Sequence, residues 1–204
     1  MTKPRSGKRF EMRVLAALKA ELAVGRLGIE PKACQISHRK GYFSRDRGRN
    51  IVFDIVIEVT RPGANTWTFL WLFECKDYTD AVPVSDVEEF CAKVKQVAAA
   101  NSKASVVASG AFQHSALAYA KANGIGLIRL LPNEQIDHVM EMLIMANPDH
   151  STRPDVEEFS DALSTPAFRS KGRDFYALAE GHFYGSWTAL LREVLRPRIL
   201  AGNS

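Results

Sequence analysis

Long apolar runs are absent from this chain of 204 residues. The best stretch, residues 66–73, falls far short of the roughly 18 apolar residues that a membrane-spanning helix needs, so no membrane partner is expected. Cysteine is scarce and unpaired. Cys34, Cys75 and Cys91 are odd in number and contain no Cys-x-x-Cys spacing, which argues against both a disulfide framework and a cysteine zinc site. The histidines His38, His114, His138, His150 and His182 show no metal-ligand spacing with one another, which removes the remaining zinc reading. Internal repeats and low-complexity tracts are also missing. Residues 1–9 are basic but lack the apolar segment of a secretory signal, so the expected location is cytoplasmic.

What is present is the composition of an ordinary soluble globular protein, 46% hydrophobic and 25% charged. The length allows one well-formed core plus an appendage, or two small domains. A net charge of +4 is mild, but its distribution is uneven. Lys3, Arg5, Lys8 and Arg9 crowd the start, and Arg39, Lys40, Arg45, Arg47 and Arg49 precede an apolar run at 51–59. Clustered cations of this kind can track a phosphate backbone through counterion release, or can simply form a solvated surface.

The apolar periodicity predicts a helix over 8–24, with Ser6 as N-cap, Gly25 as stop, and Val14, Leu15, Leu18 and Leu22 as the inward stripe. One turn back from that stripe lies Glu11, a carboxylate that either begins the inward face or answers the helix dipole. Strands are predicted over 35–43, 51–59 and 67–76, the first two joined as a hairpin. In the second strand, Ile51, Phe53, Ile55, Ile57 and Val59 are expected on one face and Val52, Asp54, Val56 and Glu58 on the other. Ser85-Asp86-Val87-Glu88 has capping-box spacing and opens a helix that ends near Asn101. A strand over 105–108, a helix over 116–123 stopped by Gly124, and a strand over 125–131 follow. This alternation implies crossovers and an α/β fold, a mixed β-sheet covered on both faces. A further amphipathic helix is expected over 134–146 and a linker over 147–154. Residues 1–146 thus form one unit, and residues 155–204 an aromatic, mainly helical C-terminal extension with a last helix over 186–196, packing on that unit or on a partner.

The chemistry concentrates where the 67–76 strand ends in Glu74-Cys75-Lys76. With side chains alternating every residue, Glu74 and Lys76 project from one face. The tripeptide Asp/Glu-x-Lys is a weak signal alone, since Glu30-Pro31-Lys32 repeats it with proline inside and no strand around it. Asp54 in the neighbouring strand gives the second copy its weight, because strands about 4.8 Å apart let Asp54 and Glu74 share one cation. Two carboxylates suit Mg²⁺, with Mn²⁺ as a substitute, and the Cys75 carbonyl is a further candidate donor. Lys76 then orients or helps deprotonate the attacking water and stabilises the transition-state charge, and Glu11 is placed to hold a water or a second metal. Glu58 reads as a rim residue. The 109–114 segment reads as a turn at the edge of the site, and Arg169, Lys171 and Arg173 add cations among the tail aromatics.

Phe10-Glu11 on the opening helix, Phe53-Asp54-Ile55, Phe73-Glu74-Cys75-Lys76, Val106-Val107-Ala108-Ser109-Gly110-Ala111-Phe112 with Ala116 and Ala120, and Gly124-Ile125-Gly126-Leu127-Ile128 together resemble the Mrr-like branch of the restriction-endonuclease fold. The resemblance runs from about Lys8 to Leu131. It implies a metal-dependent DNA endonuclease with Asp54, Glu74 and Lys76 at its site and Glu11 as accessory, Phe53 standing where the wider superfamily often has proline. Cutting both strands of DNA is compatible with a homodimer. A non-catalytic nucleic-acid-binding module that keeps the same fold is the alternative, with Arg39, Lys40, Arg45, Arg47 and Arg49 as the nucleic-acid-binding residues in either case.

Overall fold

A computed structural model of the protein describes residues 7–24, 31–98, 101–135 and 155–200. These residues build three layers around a seven-stranded sheet whose strands follow sequence order: β1 (Cys34–Ser44), β2 (Arg49–Val59), β3 (Phe69–Lys76), β4 (Ser102–Ala108), β5 (Ile125–Leu130), β6 (Phe175–Ala179) and β7 (His182–Tyr184). β1, β2 and β3 are antiparallel neighbours, β3, β4 and β5 run parallel, and β6 and β7 are again antiparallel. The parallel trio is joined through α2 (Val84–Val97) and α3 (His114–Asn123), as parallel neighbours require.

One core lies between the sheet and α1 (Gly7–Ala23) with α5 (Trp187–Leu200); the other lies between the sheet and α2, α3 and α4 (Val156–Ser164). Helix α1 buries Phe10, Val14, Leu15, Leu18 and Leu22, the predicted stripe extended by one turn. Strand β3 feeds both cores, with Phe69, Trp71 and Phe73 on the α1 side and Leu70 and Leu72 on the α2 side. Its Trp71 indole donates to Ser105 Oγ at 3.0 Å. Gly126 leaves room for that hydroxyl, since a Cβ there would sit 2.6 Å from it.

Three expectations need correction. Helix α2 starts at Val84 with Pro83 as N-cap and no side-chain cap, so the Ser85–Glu88 spacing forms no capping box; Asp86 turns to the Tyr78 hydroxyl instead. In β2 the faces slip. Ile51 and Phe53 pack with Val56 on the α2 side, whereas Ile55, Ile57 and Val59 pack on the α1 side. The cause is a local break at Arg39 and Asp54, which are unpaired between the partners His38–Ile55 and Lys40–Phe53, with Arg39 in the left-handed region at φ 52°. Beyond that break the hairpin curls. Lys40 and Tyr42 pair with Phe53 and Ile51, yet both side chains reach Glu58, positions that a straight ladder would hold about 16 and 23 Å away.

Residues 155–200 are the third correction, since they hold two strands as well as two helices and are not mainly helical. Phe175-Tyr176-Ala177-Leu178-Ala179 pairs with β5, and Glu180 and Gly181, at φ 51° and 80°, make the two-residue turn into β7 that favours positive φ at both positions. The aromatic residues that suggested packing are β-formers. Arg173 lies over the Phe159 ring at 5.1 Å to the centroid, so one of the tail cations is spent within the fold. Of the expected helix over 134–146, Asn133–Gln135 forms a single 3-10 turn; the remainder and the 147–154 linker lie outside the described residues. Pro31–Ala33 is likewise a 3-10 turn, and Glu30 lies outside the described residues.

Arg129 joins this part to the sheet. Fully buried on β5, it donates through Nη1 to the Ala162 and Thr165 carbonyls at the end of α4, and through Nη2 to the Pro166 carbonyl and Gln135 Oε1. Burial lowers its pKa to about 10, and Nε has no partner. The Arg129→Ala variant is expected to lose about 3 kcal/mol or more, because it leaves the Ala162 carbonyl without its donor, takes one donor each from the Thr165 and Pro166 carbonyls, and opens a cavity. Urea unfolding reads the loss, and amide exchange in α4 rises with it; unchanged exchange there overturns the assignment.

Candidate active site

Strands β2 and β3 run paired from Val59–Phe69 up to Ile55–Phe73 and then part. At the parting, Asp54 Oδ2 accepts the backbone N–H of Cys75 at 2.8 Å, so a carboxylate takes the place of the carbonyl that the ladder no longer supplies. Cys75 remains paired to β4 on its other side, which holds Glu74, Cys75 and Lys76 in extended register opposite Val106, Val107 and Ala108.

Glu74 and Lys76 project together on the α2 side, with Nζ 3.4 Å from Oε1. Lys76 also reaches Asp86 Oδ2 at 3.5 Å, and the Tyr78 hydroxyl donates to that same oxygen. The same Glu74 Oε1 receives Lys93 of α2 at 3.3 Å, and Lys93 is in turn held by Glu89 at 3.1 Å. Burial alone would lower both lysine pKa values. The paired carboxylates outweigh it and raise both, so each stays an ammonium.

Glu11 comes from the opposite layer. It is in the second turn of α1, so the helix-dipole role assigned to a first-turn acid does not apply; its Oε2 is 2.9 Å from His38 Nε2 on β1. Asp54 therefore sits between carboxylates from two layers. Burial, followed by the charges of Glu74 and Glu11, pushes its pKa up to about 6, against the Cys75 N–H bond and the Lys76 charge. Cys75 is an inert position, its thiol raised by burial and by the surrounding negative charge.

The expected basic segment divides. Lys40 is paired with Glu58, which is 7% exposed and also accepts from the Tyr42 hydroxyl at 2.8 Å, so Glu58 is a buried anchor of the curled hairpin and not a rim residue. Arg47 donates through Nε to Gln96 of α2 at 2.9 Å, while Arg39, Arg45 and Arg49 are exposed. Lys93, Asp86, Tyr78 and His38 escaped the sequence reading. Asp86, Glu89 and Lys93 repeat at helical spacing beside the Val87–Phe90–Cys91–Val94 stripe, a pattern that equally describes a solvated face. His38 lies on a strand with weak alternation, and only the fold brings it to Glu11.

Among the described residues no group of three or more His, Cys, Asp and Glu is arranged to hold a metal ion. Asp54 and Glu74 offer hard oxygen donors, and magnesium takes only one or two protein carboxylates while keeping several waters. The Asp54 pKa, raised by burial and then by the charges of Glu74 and Glu11, marks a carboxylate that an added cation would favour, so the donor chemistry fits such an ion.

The family model for the Mrr catalytic domain, described as a restriction endonuclease, matches residues 6–140. No curated protein matches the chain. A crystal structure of a protein of unknown function, AF1548, is 18% identical with a TM-score of 0.38, covering 54% of this chain and 56% of that one. The chain thus spans little more than half the length of that protein, and a likeness so slight bears on neither fold nor activity. The family match extends from the head of α1 past β5 and takes in Glu11, Asp54, Glu74 and Lys76, and on that extent the chain belongs to the Mrr-type restriction endonuclease family.

Proposed function

We propose that the protein is a divalent-cation-dependent endonuclease that hydrolyses phosphodiester bonds in DNA, in restriction, defence or repair. The observation that carries this reading is the position of Asp54 at the parting of β2 and β3, bonded to the residue between Glu74 and Lys76, within a chain of the Mrr-type family. Asp54 and Glu74 would hold Mg²⁺ or Mn²⁺, which would supply polarisation of the phosphate and a more acidic water. Lys76, kept protonated, donates to the attacking water or to the phosphate oxygens as charge builds. Glu11, oriented by His38, accepts from water on the α1 side. Lys93 steadies Glu74 and adds a second positive charge beside the reacting phosphate.

The test is incubation of plasmid DNA with the protein and Mg²⁺ or Mn²⁺. Glu74→Gln and Lys76→Ala are expected to lose about 100-fold or more of the cleavage rate while melting normally. Full activity in Glu74→Gln sinks the proposal. A non-catalytic nucleic-acid-binding module predicts salt-sensitive DNA binding with no cleavage under any divalent metal.

A second expectation concerns Asp54 without metal. Its folded pKa of about 6 lies above the ordinary carboxylate value, so the native state binds the extra proton and stability falls as pH rises from about 4 through 6. Asp54→Asn removes that loss. Its melting temperature in EDTA is expected to exceed that of the wild type at pH 8, with the difference gone by pH 3.5; a lower melting temperature at pH 8 contradicts the cost of ionising Asp54 where it is buried beside Glu74 and Glu11.

A further inference from the structure

A polar cleft of about 500 Å³ opens beside the site on the α1 side. Arg9 and Arg13 of α1 form one wall, Asn133 and Glu134 the other, and Asp77 and Ser109 the floor. It lies beyond the carboxyl ends of β3, β4 and β5, where open α/β sheets receive ligands. The floor is joined directly to the site. Asp77 follows Lys76 in the chain, and the Ser109 N–H donates to the Lys76 carbonyl at 3.1 Å.

The charges of this cleft are unequally engaged. Ser109 Oγ donates to Asp77 Oδ1 at 2.9 Å, and Arg13 Nη2 is 3.6 Å from Asp174 and donates to the Leu131 carbonyl at 3.3 Å. Arg9 is exposed and has no ion pair or hydrogen bond among the described residues. The backbone beside Ser109 is closely packed. Gly110 packs so closely that a Cβ would fall 2.7 Å from the Asp80 carbonyl oxygen and 2.8 Å from that of Tyr78. The cleft thus combines an uncommitted guanidinium with amide, hydroxyl and carboxylate groups on a closely packed base, on the α1 side of the strand end whose Glu74 and Lys76 side chains project to the α2 side.

We infer that this cleft is a subsite for the nucleotide adjoining the cleaved phosphate, with Arg9 taking that nucleotide's phosphate and Asn133 and Ser109 its sugar or base. The inference rests on the nuclease reading for its place in the substrate strand, but not for the binding itself. Arg9 is a binding and positioning residue, and the Arg39–Arg49 hairpin then covers only another part of the nucleic acid. The guanidinium fork suits phosphate oxygens.

Thymidine 3′,5′-bisphosphate titrated by calorimetry into the full chain in EDTA probes the cleft without a metal. Binding is expected in the wild type, to fall at least tenfold in Arg9→Gln and to fall in Asn133→Ala on the facing wall. Lys121→Gln, on a different element at the far end of α3, is expected to leave it unchanged. With a single-stranded oligonucleotide, the slope of log K against log salt is expected to shrink by about 0.7 in Arg9→Gln, the loss of one phosphate contact. Wild-type affinity and slope in both cleft variants, with normal melting temperatures, overturn the inference, as does absence of bisphosphate binding in the wild type. A wild type that binds through Arg9 yet cuts no DNA with any divalent metal defeats the nuclease reading and leaves the subsite standing.

Discussion

Everything about the site depends on one hydrogen bond, from the Cys75 N–H to the Asp54 carboxylate where β2 and β3 separate. A strand that leaves its partner exposes unpaired backbone groups, and a buried N–H without an acceptor is costly. Asp54 supplies the acceptor from a side chain. In doing so it fixes a carboxylate at a forked point of the sheet, where residues from both helical layers can approach. The same departure from regular pairing underlies the left-handed Arg39 and the curl that buries Glu58 against Lys40 and Tyr42. A single irregularity in β2 therefore shapes both the hairpin and the charge cluster.

That cluster contains opposing tendencies that neutralise each other only in part. Glu74 carries two ammonium contacts, and each lysine has a second acid on α2 to hold it, Asp86 for Lys76 and Glu89 for Lys93. The α2 side is thus balanced by its own cations. Asp54 faces Glu74 on one side and Glu11 on the other with less compensation, and its raised pKa reflects burial first and these charges second. Positive charge added beside Asp54 would offset both its burial and the two neighbouring carboxylates.

Much of this was legible locally. Helix α1 follows from a 3.6-residue stripe, and the shared side of Glu74 and Lys76 follows from strand alternation, because both patterns are properties of a few consecutive residues. The face slip in β2 was not legible, since strict alternation was the only available rule and Asp54 breaks it through a bond to a residue 21 positions away. The strands β6 and β7 were hidden for another reason. Their aromatic residues fit either packing surface or strand, and the decision came from the open edge of β5 together with the Glu180-Gly181 turn. Lys93 and His38 belong to the site only through tertiary contacts, and nothing in their immediate neighbours marks them.

The order of the strands across the sheet has a consequence for assembly. Sequence order leaves β1 and β7 as the two outer strands of the described sheet. β7 has three residues, too few to template another chain, and β1 is interrupted by Arg39 in a left-handed conformation, a break that spoils continuous pairing. Both ends of the sheet are poor at extending across a subunit boundary. Two copies that cooperate on opposite strands of a duplex would meet through helices or loops, and their sheets would remain separate.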